Sequence, residues 1–154
     1  MSSPKSRGDF GTNMEGVVVD QAVKDPHLKC AEDFMTHLGD HEIDEATKLL
    51  SPTVTYRVVG SHALAGTFFG PEEVSAHLGR LLEFTQGTFD VLKLEDWLVG
   101  ESHVATVVDI NMRAQGRVFI GKHIFLLQFD TKGLVTGITV FFENEASARW
   151  FFGP

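Results

Sequence analysis

The chain of 154 residues holds one cysteine, Cys30, and one tyrosine, Tyr56. A single cysteine excludes an intrachain disulfide and a cysteine-based zinc cluster, and it fits a reducing compartment. Long apolar runs are also missing. The longest near the N-terminus, Gly16-Val17-Val18-Val19, is far too short for a signal-peptide core or a membrane span. There is no Lys/Arg run, and the formal charge of −8 argues against a nucleic-acid surface or an anionic membrane as partner. No phosphate-binding glycine loop, dinucleotide fingerprint, Ser-His-Asp or Cys-His arrangement is found. What remains is a soluble, cytoplasmic protein with no cofactor.

The length is that of one domain, enough to bury roughly two thirds of its unfolded surface. Apolar residues make up 43% and charged residues 22%, which is ordinary, but 13 Phe are an excess. Phe is costly to expose, so this many imply a large core, a lined cavity or a subunit interface. Residues 1–25, rich in Ser, Gly, Lys and Asp, lack periodicity and read as a flexible arm. Residues 26–145 read as the body. Residues 146–154, with Trp150-Phe151-Phe152, read as an aromatic tail that docks on the body or on a partner subunit.

From Pro26 to Leu50, apolar residues recur three or four apart and predict two amphipathic helices broken near Gly39-Asp40. The second should end before Ser51-Pro52, because the residue before proline avoids the helical region. A strand is predicted at Thr53–Val59, and another over Leu64–Phe69. Gly70 and Pro71 then open a helix that runs to about Phe84, with Val74, His77, Leu78, Leu81 and Leu82 on one side. Four long strands follow: Thr88–Val99, His103–Ala114, Val118–Phe129 and Leu134–Phe142, separated by hairpin turn chemistry such as Gln115-Gly116-Arg117. Helices first and a long meander last predict an α+β fold, a curved antiparallel or mixed sheet with three helices on its concave face.

This order of elements, with "LAGTFFGPEEVSAHL", the "AQGR" hairpin and "FLLQFDTKGLVTGITVFFEN", resembles the nuclear transport factor 2-like superfamily in its SnoaL-like polyketide cyclase branch. The resemblance covers about Pro26–Asn144. It implies a cone closed by helices around an apolar pocket, commonly a homodimer formed through the outside of the sheet. The superfamily houses isomerases, epoxide hydrolases, dehydratases, cyclases and binding modules, so it fixes the fold and leaves the reaction open. Where isomerase-like members place a tyrosine, a base and a protonated aspartate, this chain has Phe34, Val58 and Phe125, all apolar. The epoxide hydrolase set fares no better. Tyr56 matches its tyrosine, but Val58 and Val140 replace its asparagine and final aspartate. Its arginine position falls on Thr106 or Val107, depending on register, and its other aspartate position on Val108 or Asp109.

The resemblance therefore implies a greasy pocket built from Phe34, Leu38, Val58, Phe68, Trp97, Val108, Phe125, Leu127, Val140 and Phe142. Such a cavity takes a hydrophobic small molecule, with a few polar groups setting its orientation. Three residues are candidates for chemistry. Asp109 either faces the pocket, where burial would raise its pKa for acid–base work, or joins Asn111 and Arg113 on the outward side of an alternating strand. His123 shares a face with Phe125 and is a proton shuttle or a hydrogen-bonded structural residue. Tyr56 shares a face with Val58 and polarises an oxygen or satisfies a backbone group. The acids of "GDHEIDEA" are explained by a helix start, so no metal site is expected. The functional expectation is cyclisation, isomerisation or dehydration of a polyketide or terpenoid intermediate. A non-catalytic ligand-binding module and an epoxide hydrolase with a rearranged set are the rivals.

Overall fold

A computed structural model describes residues 21–154. The arm expected over residues 1–25 lies outside the described residues as far as residue 20, and the remaining five belong to a helix. The elements are α1 (Gln21–Gly39), α2 (Ile43–Thr47), β1 (Leu50–Val58), β2 (Gly66–Phe69), α3 (Gly70–Phe84), β3 (Asp90–Val99), β4 (His103–Ala114), β5 (Arg117–Phe129), β6 (Val135–Phe142) and α4 (Glu145–Phe152). One six-stranded sheet has the order β2-β1-β6-β5-β4-β3. The β1–β6 pair is parallel and the others are antiparallel, so the sheet is mixed. The α+β expectation holds, with four helices where three were expected. No helix among the described residues is long and apolar enough to cross a membrane.

Alternation builds the inner face. In β4, Val104, Thr106, Val108, Ile110 and Met112 are buried, while the residues between them are partly exposed. Period-2 side chains put one set against the helices and the other on the outside of the sheet. Buried Phe34, Met35 and Leu38 of α1 and Val74 and Leu78 of α3 belong to the same core. A sheet hydrophobic on one face must be covered, and these helices cover it.

Two boundaries differ from the sequence reading. β1 begins at Leu50, so α2 is a single short turn of helix and Pro52 lies inside a strand. Leu50 pairs with Val135 and Thr55 with Gly137, so the register slips around the proline, which has no N–H to give a ladder. β2 begins at Gly66 rather than Leu64 because the N–H groups of Leu64 and Ala65 are taken by His62 in a tight turn. At the start of α3, Glu73 reaches back to accept the N–H of Phe69 at 2.9 Å, closing the helix entrance with its own first turn.

Candidate functional site: three histidines around an apolar cavity

The cavity lies between the inner face of the sheet, α1, α3 and α4. Of the residues expected around it, Leu38, Tyr56, Val58, His123, Phe125, Val140 and Phe142 line it. Its volume is about 30 Å³. That is room for one or two waters, not for a drug-sized molecule, so any larger ligand must displace side chains.

Five of the expected residues do not line it. Phe34, Val108 and Leu127 are fully buried in solid core, where interior packing leaves no space. Trp97 packs half-buried on β3, an edge strand whose pairing with β4 is twice irregular. Phe68 stacks on His77 at 4.2 Å between ring centroids and stands behind it, while its neighbour Phe69 is 62% exposed.

Asp109 is on the opposite face. It alternates with buried Val108 and Ile110, and its carboxylate lies 2.9 Å from the Lys122 ammonium, which also pairs with Glu95. Hydrogen bonding with Glu95, and then with Lys122, lowers its pKa, the reverse of the rise that burial in the pocket would cause. It belongs to an ion network outside the sheet.

His123 and Tyr56 are on the inner face, both nearly inaccessible. Burial pushes His123 down to about 3, against the Gly121 carbonyl, which favours the charged ring. Burial also raises the Tyr56 hydroxyl, so both groups are neutral at neutral pH. Two histidines not singled out from the sequence complete the set. His77, on α3, is pushed down to about 4 by burial and then by Arg80 and His62, and its ring lies 5.5 Å from that of Tyr56. His62, in the turn after β1, is lowered by burial and raised by Glu145. Among the described residues, buried His62 Nε2, His77 Nδ1 and His123 Nδ1 find no hydrogen-bond partner. An unpaired buried polar atom costs about 1–3 kcal/mol, and all three of these residues line one cavity.

The sequence carried a signal for His77, which falls three residues after Val74 on the apolar side of α3. For His62 it carried none, since a turn residue has no periodicity.

The far wall is α4. Asn144 caps it by accepting the Ser147 N–H at 3.0 Å, and Phe151 and Phe152 are buried. Phe152 lines the cavity and stacks on His62 at 4.9 Å. The Gly153 carbonyl accepts the Ala63 N–H at 2.8 Å, and the Arg117 guanidinium donates to the Phe151 carbonyl at 3.3 Å while lying over the Trp150 ring. Among the described residues no Asp, Glu, Lys or Arg lines the cavity, and no three His, Cys, Asp or Glu side chains are grouped as metal ligands.

The chain matches no protein-family model. It is 30% identical over 112 residues to the uncharacterized protein Rv0034 of Mycobacterium tuberculosis, an alignment covering 72% of this chain and 84% of that one. The chain belongs to the family of that protein. Among solved structures, a protein of unknown function with a cystatin-like fold from Xanthomonas campestris superposes with a TM-score of 0.77 at 22% identity, covering 83% of this chain and 98% of the other. An NTF2-like protein from Burkholderia xenovorans gives 0.74 at 16%, covering 84% and 98%. The fold of the family member described here is therefore NTF2-like. Two further structures of this fold come from Mycobacterium tuberculosis. Rv0760c in complex with estradiol-17beta-hemisuccinate has a TM-score of 0.65 at 15% identity over 75% of this chain and 92% of that one. An LEH-like epoxide hydrolase has 0.63 at 16% over 78% and 84%. The fold thus includes enzymes and ligand-bound proteins.

What this member's cavity can do is set by neutral groups. It offers an apolar wall, a phenol and imidazoles that can donate or accept hydrogen bonds without carrying charge.

Proposed function

We propose that the chain is a cofactor-independent enzyme of the SnoaL-like kind. It binds a hydrophobic polyketide or terpenoid intermediate in this cavity and promotes its cyclisation, isomerisation or dehydration. The supporting observation is that three histidines, each with a buried, unpartnered ring nitrogen among the described residues, line one apolar cavity. Tyr56 polarises a substrate oxygen, and His123 accepts or relays a proton. A histidine held neutral by burial is a weak base, which suits ring closure or loss of water from an activated chain, where the wall's main task is to fold the substrate into a reactive shape. The complex of Rv0760c with estradiol-17beta-hemisuccinate supports a mostly hydrophobic ligand for this fold, which in this cavity would have to displace side chains.

The test is mass spectrometry of small molecules co-purified with the protein, followed by turnover of the recovered compound by wild type, Tyr56→Phe and His123→Gln. The reading predicts a loss of about 100-fold or more in at least one variant. Full rates in both would end it.

A second reading, a non-catalytic carrier of hydrophobic ligands, is favoured by the lack of any charged side chain among the described lining residues. Recovery of the bound compound unchanged after prolonged incubation would support it.

We also propose a homodimer through the outside of the sheet, where Leu98, Val118 and Ile120 are each at least half exposed. Exposed apolar residues gathered on one sheet face mark an interaction surface.

A further inference from the structure

We propose that His62 is the group that selects the ligand by an acceptor oxygen. The ligand is then an uncharged, mostly apolar molecule presenting a carbonyl, quinone or ether oxygen to the end of the cavity closed by α4. The inference rests on the cavity being a ligand site, as proposed above.

The Leu64 N–H donates to Nδ1 of His62 at 3.3 Å, so Nδ1 is an acceptor. In a neutral imidazole the other nitrogen then carries the hydrogen. That other atom, Nε2, is buried and has no partner among the described residues, on a side chain that belongs to the cavity lining and is 5% exposed. For His77 and His123 the unpartnered atom is Nδ1, to which no backbone amide donates. Of the three, His62 is the one whose tautomer a backbone amide fixes with its buried nitrogen as a donor, on a residue that lines the cavity.

The ring is also held in place. It stacks on Phe152 at 4.9 Å with planes 27° apart and meets Phe142 edge-on at 5.1 Å. Its turn is tied by Glu145, whose carboxylate accepts the Ser61 N–H at 2.7 Å and the Ser61 hydroxyl at 3.3 Å. Gly60 lets this happen, since a Cβ there would meet Glu145 Oε1 at 2.5 Å and His62 Cδ2 at 2.9 Å. A buried donor on a rigid mount accepts an oxygen and rejects an analogue lacking it, because the rejected analogue leaves the N–H unpaired.

The test uses the full chain and two probes that differ only in a carbonyl, 1-indanone and indane. Long-range nitrogen–proton NMR of the wild-type imidazoles at neutral pH should show His62 protonated at Nε2 and bare at Nδ1. Wild type should bind 1-indanone about tenfold or more tightly than indane. His62→Phe should erase the preference while still binding indane, and His62→Gln, which keeps an N–H donor, should retain part of it. A His62 ring protonated at Nδ1, or a preference that survives in His62→Phe, overturns the inference and leaves the proposed function standing. Failure of wild type to bind either probe counts against the cavity as a ligand site, and so against both. If His62→Phe does not fold, the wild-type tautomer and the Gln variant decide.

Discussion

The ring of His123 lies 4.2 Å from that of Phe142, its cross-strand partner on β6. A charged imidazolium has no hydrated place to go there, and burial also lowers the pKa of His77 and His62. In the unfolded chain each histidine titrates near 6.5, whereas folded His77 and His123 titrate near 4 and 3. The unfolded state therefore binds more protons across this window, and stability falls as pH falls through it. Above about 6.5 these groups contribute no pH dependence. The expected result is an unfolding free energy, read with its midpoint from urea titrations, that is flat at neutral pH and drops steadily toward pH 4, by up to about 1.4 kcal/mol per pH unit for each histidine. A midpoint that stays level to pH 4.5 would contradict the burial of neutral histidines.

Phe152→Ala should remove one wall of the cavity. Truncating a buried phenylalanine costs about 3–5 kcal/mol, read from urea unfolding, and the enlarged space should bind an environment-sensitive apolar dye more tightly. Unchanged stability together with unchanged dye binding would show that Phe152 does not close the cavity.

Gly60 has φ +140°, a conformation that other residues rarely adopt, and a methyl group there would strike the Glu145 carboxylate. Gly60→Ala is expected to destabilise the protein by about 1–3 kcal/mol, measured by thermal or chemical unfolding. A wild-type unfolding curve would show that the turn has another arrangement open to it.

Asp109→Asn should leave ligand binding and turnover as they are, because the carboxylate pairs with Lys122 on the outer face of the sheet. A tenfold loss in either measurement would move the search for the reacting groups to that face.

Ile120 is 69% exposed on β5. If the outer face joins two copies, Ile120→Glu should shift the sedimentation-derived mass from dimer to monomer. A wild-type monomer at micromolar concentration would remove the dimer proposal.

Most of the fold could be read in advance because strand alternation is a strong signal. "HVATVVDINMRA" spans β4 end to end, and its burial follows every second residue. The weakness of such a signal is phase. A slip of one residue turns Val108 outward and Asp109 inward, and only the observed pairing of Val108 with His123 and of Asp109 with Lys122 fixes it. The cavity was less legible. Leu127 shares the inner face with Phe125, and Phe34 of α1 belongs to the same core, but nothing local says where packing is complete and where a gap remains. His62 was beyond reach because its role depends on contacts with Phe142 and Phe152, some eighty to ninety positions further along the chain.

The wall that α4 supplies has a bearing on how ligand preference could diverge between relatives. Every strand residue around the cavity is bound by register to a neighbour on the next strand, so altering it disturbs a partner. Phe152 belongs to a helix of eight residues with no such ladder. Exchange of that one side chain would reshape the binding space while the sheet keeps its sequence, which makes the last helix the natural place to start when retargeting this protein to a new molecule.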